Sequence, residues 1–494
     1  MSTQCVSLGT LPRNHSHLAT PFLSALDSAA SANLHDDPNY YVKDPRSLVS
    51  NSAVHSFSTG TGSAIYKSFA PLLESTIHEL ILVTCFWARS SALETLNEVL
   101  RNISDKAIRR GTHKVRVRLC FSSSSLFQKL FHSQSVSGQT YPPSIWAEKF
   151  GLPDPSELGG LDLQIKSIFI LPFSVMHPKF IIIDRQTAIL PSCNISWEEW
   201  FEGCVTLSGP LVNKFFQFYS FFWARSERPS PEQEFDRGTS TQRERLETGA
   251  VDLGHGHIHI SFPSNPNKAE IKDVPSIFLP SPHHRNPQFR PFARTKKIIA
   301  PPTPLNAFIL TIFAKAEASI RIQTPNLTSP PVLSGLLKAL ARGINVTIVT
   351  SDKLMVLEQL ITAGTTTSKC VKKLIKRYRK LLGSGPNQTA SDEEAAISMP
   401  RLGKLQISYF SPLHGPKPKG KEGGEPQQSH LKMTIVDNDV LVLGSGNLDR
   451  ASWFTSQELG VAFFDKALAE SVGNVVDEAM KGRSRVVFNS LDVL

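Results

Sequence analysis

The feature that most constrains this chain is a pattern written twice. His177-Pro-Lys-Phe-Ile-Ile-Ile-Asp184 is followed by Ser192, Cys193 and Asn194, then Glu202. His430-Leu-Lys-Met-Thr-Ile-Val-Asp437 is followed by Gly444-Ser-Gly-Asn447, then Glu458. In both copies Lys follows His by two residues, Asp by seven, Ser by fifteen and Asn by seventeen. A lone histidine on an apolar strand is more often a core residue than a chemical one. Two copies that agree through Ser and Asn point instead to a duplicated functional unit.

Each copy is apolar and β-branched between its polar residues, which predicts a buried strand. Side chains alternate faces along a strand, so His177 and Lys179 share a face with Ile181 and Ile183, and Asp184 falls on the other. His430, Lys432 and Asp437 repeat this. Asp184-Arg-Gln186 and Asp437-Asn-Asp439 each separate two apolar runs and predict tight hairpins, which makes both Asp residues turn residues. The returning strands bring Ser192 and Asn194, or Ser445 and Asn447, back beside His and Lys. Glu202 and Glu458, on the next strands, are placed to orient the imidazoles.

The chemistry this set permits is phosphoryl transfer. A neutral imidazole can attack phosphorus and form a covalent intermediate. A second can protonate the leaving oxygen and then activate the incoming nucleophile. Lys179, Lys432, Ser192, Ser445, Asn194 and Asn447 can bind the non-bridging oxygens and stabilise the transition state. Two Lys charges stand where a metal would, so neither metal nor cofactor is expected. One copy supplies one His, so a complete site needs both.

The double His-x-Lys-x4-Asp pattern, with Gly444-Ser-x-Asn447 and Glu458 downstream, resembles the phospholipase D superfamily over about residues 46–490. The segment Gly444-Ser-Gly-Asn-Leu-Asp-Arg450, with Ser452 and Glu458, is most similar to cardiolipin synthases and related phosphatidyltransferases. The resemblance implies an α/β fold of two similar lobes, each a mixed sheet flanked by helices, with the active site at their interface. It also implies a phosphohistidine intermediate and places His177, Lys179, Asp184, His430, Lys432 and Asp437 in the catalytic set. Family practice favours His177 as the attacking residue; the intact second copy keeps His430 open. The first copy departs from the family at Pro191, where Gly is usual, and its Asn-to-Glu spacing is three residues shorter.

The net charge of +10 and pI near 9.2 favour an anionic partner, phospholipid or nucleic acid. The subfamily resemblance and a basic helix favour phospholipid, with peripheral contact to an anionic membrane. That helix is expected over 369–382, where Val371, Leu374, Ile375, Tyr378, Leu381 and Leu382 form a stripe and Lys372, Lys373, Lys376, Arg377, Arg379 and Lys380 cover the rest. A nuclease using the same site is one alternative, and a non-catalytic lipid-binding scaffold is another if Pro191 disables the first half. Six cysteines without close pairs, no signal peptide pattern and no apolar run approaching a membrane span suggest an intracellular or peripheral membrane protein.

In chain order, residues 1–45 read as a lead-in, 46–225 as the first lobe, 226–296 as a Pro-rich linker and 297–490 as the second lobe. Helix, strand, helix, strand are expected over 64–78, 79–87, 92–103 and 114–120. The same order recurs over 307–318, 319–324, 331–342 and 344–350, implying a parallel α/β sheet. The aromatic-rich stretch 211–224 is expected to be a core helix rather than a membrane-facing one. His255, His257 and His259 would share a strand face, but no acid or Cys completes a zinc set in sequence; His283 and His284 are treated alike. The loop 412–429, just before His430, is a possible gate.

Overall fold

The two motif copies occupy equivalent places in one large mixed sheet flanked by helices. The computed structural model describes residues 15–111, 113–124, 135–170, 174–225, 251–252, 256–262, 273–283, 299–383, 402–417 and 423–492. His255, His284, the polar loop from 384 to 401 and Lys419 and Lys421 of the expected gate lie outside them.

After α1 (Ser16–Ser28), the first half comprises β1 (Val49–Gly60), α2 (Gly62–Glu74), β2 (Glu79–Phe86), α3 (Ser91–Arg110), β3 (Val115–Ser123), β4 (Leu161–Ser167), β5 (Phe180–Ile183), β6 (Thr187–Pro191), β7 (Trp200–Ser208) and α4 (Leu211–Phe222). Strands β8 (Ile258–Ser261) and β9 (Val274–Ser281) follow. The second half runs through α5 (Pro304–Lys315), β10 (Ser319–Gln323), α6 (Pro330–Ala341), β11 (Asn345–Thr350), α7 (Val356–Ala363), α8 (Thr367–Gly383), β12 (Leu405–Phe410) and β13 (Gln428–Ser429). It ends with β14 (Met433–Val436), β15 (Val440–Gly444), α9 (Arg450–Phe454), β16 (Glu458–Phe464), α10 (Lys466–Ala479) and β17 (Ser484–Asn489).

The first half orders its strands β4-β3-β2-β5-β6-β7-β1. The second orders them β12-β11-β10-β14-β15-β16-β9. β1 and β9 pair with each other and join the halves. The expected parallel sheet is realised in only three strands per half, β2-β3-β4 and β10-β11-β12. The hairpins reverse the chain, so the remaining strands of each half pair antiparallel.

Helix starts repeat as well. Thr61 and Thr303 cap α2 and α5, accepting from Ala64 N and Asn306 N, which satisfies an otherwise orphaned donor. On β5, Phe180 and Ile182 enter the larger core cluster while Ile181 and Ile183 enter a second one with α2 and α3. Burial on both faces explains why this strand reads as an unbroken apolar run.

Three expectations change. The segment 226–296 is not only a connection: β9 lies within it, hydrogen-bonded to β1 on one side and β16 on the other. Pro275 and Pro280 gave that stretch the look of a linker, since proline is uncommon inside sheets. The lead-in contains α1, whose Leu18, Phe22 and Leu26 are buried and whose Phe22 ring meets Phe308 edge-on at 5.2 Å. The His-x-Lys triplets precede β5 and β14 rather than forming part of them. The α4 aromatics Phe215, Phe218 and Phe222 are buried in the core, as expected.

Candidate active site

Both hairpins turn through two residues of positive φ, Asp184 and Arg185 at 48° and 54°, and Asp437 and Asn438 at 54° each. Gln186 N donates to Ile183 O and Asp439 N to Val436 O, at 3.0 Å each. This is the tight turn whose twist suits a two-residue hairpin. The Asp carboxylates face away from the histidines. Asp184 accepts from the backbone N–H groups of Ile77, His78 and Glu79 at 3.0, 2.7 and 2.8 Å. Asp437 accepts from Glu317, Ala318 and Ser319 at 2.9, 2.7 and 2.8 Å. The Asp that ends each copy of the pattern therefore pins the start of the neighbouring strand, in agreement with its reading as a turn residue.

The imidazoles pair across the halves. His177 Nδ1 lies 2.9 Å from Glu458 Oε2, and His430 Nδ1 lies 2.7 Å from Glu202 Oε1. Backbone exchange builds this crossing. His177 N donates to Gln457 O, and Gln457 N to Val175 O, at 2.9 Å each. His430 N donates to Phe201 O at 2.8 Å, while β7 and β13 pair in parallel at Trp200–Gln428 and Phe201–Ser429. Each histidine segment thus runs beside the strand that delivers the other half's glutamate. With Nδ1 engaged, Nε2 of each ring is the nitrogen left for chemistry.

Ser192 and Ser445, expected to bind phosphate, are committed elsewhere. Ser192 Oγ donates to Glu202 and accepts from Gly203 N. Ser445 Oγ donates to Glu458 Oε2 at 2.5 Å and accepts from Leu459 N at 3.1 Å. Ser452 Oγ adds a bond to Glu458 Oε1 at 2.6 Å. The serines fix the glutamates, which fix the imidazoles. Pro191 does not disturb this: Ser192 N still donates to Gly203 O at 2.8 Å, matching Ser445 N to Leu459 O at 2.9 Å.

Lys179 and Lys432 are buried, each ammonium donating to the carbonyl of its own histidine, at 3.0 and 2.7 Å. Asn194 Oδ1 accepts from Phe86 N at 3.3 Å, and Asn447 Nδ2 donates to Asp449 Oδ2 at 3.0 Å.

The electrostatics tie the two pairs into one site. Burial pushes His430 well below the usual imidazole range, and the charges of Lys432, Lys179 and His177 push the same way. Burial also lowers His177, opposed by the Glu458 carboxylate. Burial pushes Lys432 down to about 7, against Glu202 and together with Lys179. Glu202 is raised by burial, with Lys432 and Ser192 opposing. Glu458 is also subject to burial, but His177, Lys179 and Ser445 hold it below the ordinary carboxylate range.

Sequence reasoning missed two neighbours. The Trp200 ring packs on His430 with centroids 4.4 Å apart; its signal was a place two residues before Glu202. Asp449, which caps α9 through Ser452 N at 2.8 Å, holds Asn447. Of the other histidines, His257 Nδ1 lies 2.8 Å from Thr59 O and His259 Nδ1 lies 2.7 Å from Ser58 Oγ. Among the described residues no group of three His, Cys, Asp or Glu is arranged to hold a metal ion.

Residues 309–480 match the family model described as "Cardiolipin synthase, PLD-like domain". Among solved structures, phosphatidylserine synthase from Haemophilus influenzae aligns over 90% of this chain and 91% of its own, with 15% identity and a TM-score of 0.51. That likeness is one of fold. Nuc, a phospholipase D family member from Salmonella typhimurium, aligns over 37% of this chain and 90% of its own, with 20% identity and a TM-score of 0.24. No curated protein matches the chain.

Proposed function

We propose that this chain, whose residues 309–480 match the cardiolipin synthase, PLD-like domain model, cleaves or exchanges the phosphodiester of a phospholipid through a phosphohistidine, with water or an alcohol as acceptor. The observation that carries this reading is the crossed pair of histidine–glutamate contacts, with one lysine beside each histidine.

Covalent transfer needs one imidazole without a proton and one with it. His430 is the ring kept uncharged by burial, which suits attack on phosphorus. Glu458, held ionised, opposes the effect of burial on His177, so His177 is the ring of the two that more readily carries a proton, which suits protonation of the leaving alcohol. This reverses the order that the family resemblance favours. Nε2 of His430 bonds to phosphorus as the bond to the departing alcohol oxygen breaks, and that oxygen takes the His177 proton. His177 then removes a proton from the acceptor hydroxyl, whose oxygen attacks phosphorus and releases His430. Lys179 and Lys432 stabilise the non-bridging oxygens, and Asn194 and Asn447 flank them.

Phospholipid is preferred over nucleic acid because the matched family model is of the cardiolipin synthase type. The exposed Lys372, Lys373, Lys376, Arg377, Arg379 and Lys380 of α8 suit an anionic lipid surface. The test is incubation with labelled phosphatidylglycerol, and separately with single-stranded DNA, in EDTA, followed by acid-quench trapping and peptide mapping. Label on His430 with phosphatidyl transfer or release supports the proposal. Label on His177 reverses the roles, nucleotide release makes the protein a nuclease, and silence on both substrates leaves a binding scaffold.

A further inference from the structure

Helix α7 is built with its polarity reversed. Its sequence, Val-Leu-Glu-Gln-Leu-Ile-Thr-Ala, is mostly apolar, yet its one buried residue is Gln359. The Gln359 amide donates to Asn326 Oδ1 at 2.8 Å and Leu354 O at 2.6 Å, and accepts from Thr367 N at 2.6 Å. The apolar side chains point outward: Leu357 is 72% exposed, Ile361 49%, Leu360 41% and the preceding Met355 41%. A ridge of three large apolar groups on one short helix, extended by Met355 at its start, is unusual on a protein surface and marks a contact site.

What covers it follows from its neighbours. Thr367, bonded to Gln359, is the first residue of α8, whose Cys370, Val371, Leu374 and Tyr378 are buried and whose lysines and arginines are exposed. An apolar ridge beside a dense basic face matches a bilayer surface with anionic headgroups, which takes apolar groups below and cations at phosphate level.

The ridge is also wired to the site. Arg450 Nε donates to Thr362 O at 3.1 Å, and Asn326 Nδ2 reaches Asp449 Oδ2 at 3.5 Å, the carboxylate that holds Asn447. We propose that α7 is the element by which this protein enters the interface of an anionic bilayer, with Met355, Leu357, Leu360 and Ile361 inserted and α8 at headgroup level. This rests on the phospholipid reading above and adds the surface through which that substrate is reached.

The test is flotation with vesicles of phosphatidylcholine alone and of phosphatidylcholine with phosphatidylglycerol. Wild-type protein should float with the anionic vesicles. Leu357→Lys with Ile361→Lys should reduce floated protein at least about tenfold, while turnover of a detergent-dispersed short-chain phospholipid stays within about twofold. Lys373→Glu with Lys376→Glu should remove the preference for anionic vesicles. Wild-type levels of flotation by the α7 variant overturn the proposal, as does wild-type protein that ignores both vesicles. Loss of a dimer in the α7 variant with flotation unchanged overturns it in favour of a protein contact. Ridge-dependent flotation without turnover of any lipid leaves the surface standing and removes the enzymatic reading, so the two fail separately.

Discussion

Glu458 Oε2 sits 2.9 Å from Nδ1 of His177, a residue 281 positions earlier in the chain. The reciprocal contact, Glu202 to His430, spans 228 positions. Neither histidine is oriented by its own half. Breaking one glutamate should therefore damage the histidine of the other half. Glu458→Gln should lower the His177 pKa in an NMR titration, with no matching fall for His430, on which a less charged His177 presses less. It should also cut kcat on the order of 100-fold, a common size for disturbed acid–base catalysis. If the His430 pKa falls instead, the pairing follows chain order and the crossed site is wrong.

His177→Ala and His430→Ala should each abolish turnover, because the proposed transfer uses both rings. Their circular dichroism spectra should match wild type. Full activity in either variant would contradict a shared site.

Lys432, held near 7 by burial, makes anion binding depend on pH. A bound oxyanion favours the charged ammonium, so binding above pH 7 must first take up a proton. Affinity for tungstate, whose own charge is constant over this range, should fall about tenfold per pH unit above 7. Stability moves the other way. Between about 7 and 10.5 the unfolded chain holds a proton that folded Lys432 lacks, so this group makes stability rise with pH across that window. Calorimetry of wild type and Lys432→Met separates both effects; a flat tungstate profile in the wild type would rule them out.

Asp437 should matter to folding more than to chemistry. Its carboxylate accepts three backbone N–H groups at the start of β10. Asp437→Ala should cost about 1.5–3 kcal/mol, the range for hydrogen bonds to a charged group. Denaturant unfolding measures this. Activity per folded molecule should stay near wild type, and a loss of several hundred-fold with stability intact would return Asp437 to the catalytic set.

Pro191 and Gly444 occupy matching positions with opposite tolerances. A Cβ on Gly444 would lie 2.3 Å from Leu459 O, which is backbone and cannot swing aside. Gly444→Ala should destabilise by about 1–3 kcal/mol through overpacking. Pro191→Gly should keep activity within about threefold, since the Ser192–Glu202 contact already forms. A thermal melt and an activity assay on each variant check the pair.

The sequence alone determined much of this molecule. Spacing in the two copies of His-x-Lys-x4-Asp identified the histidines, lysines, glutamates and hairpin turns, because turn chemistry and strand alternation are local. The repeated helix–strand order and the buried α4 aromatics were legible for the same reason. Tertiary structure decided what local pattern cannot carry. Which glutamate serves which histidine depends on strands that exchange between halves, as β7 does with β13. That the serines hold glutamates, and that Asp437 holds the start of β10, depends on partners brought in by the sheet. The Pro-containing β9 became a central strand because it found β1 and β16 on either side. The outward ridge of α7 is of the same kind: an apolar run reads as core until packing shows that a buried glutamine has taken its place.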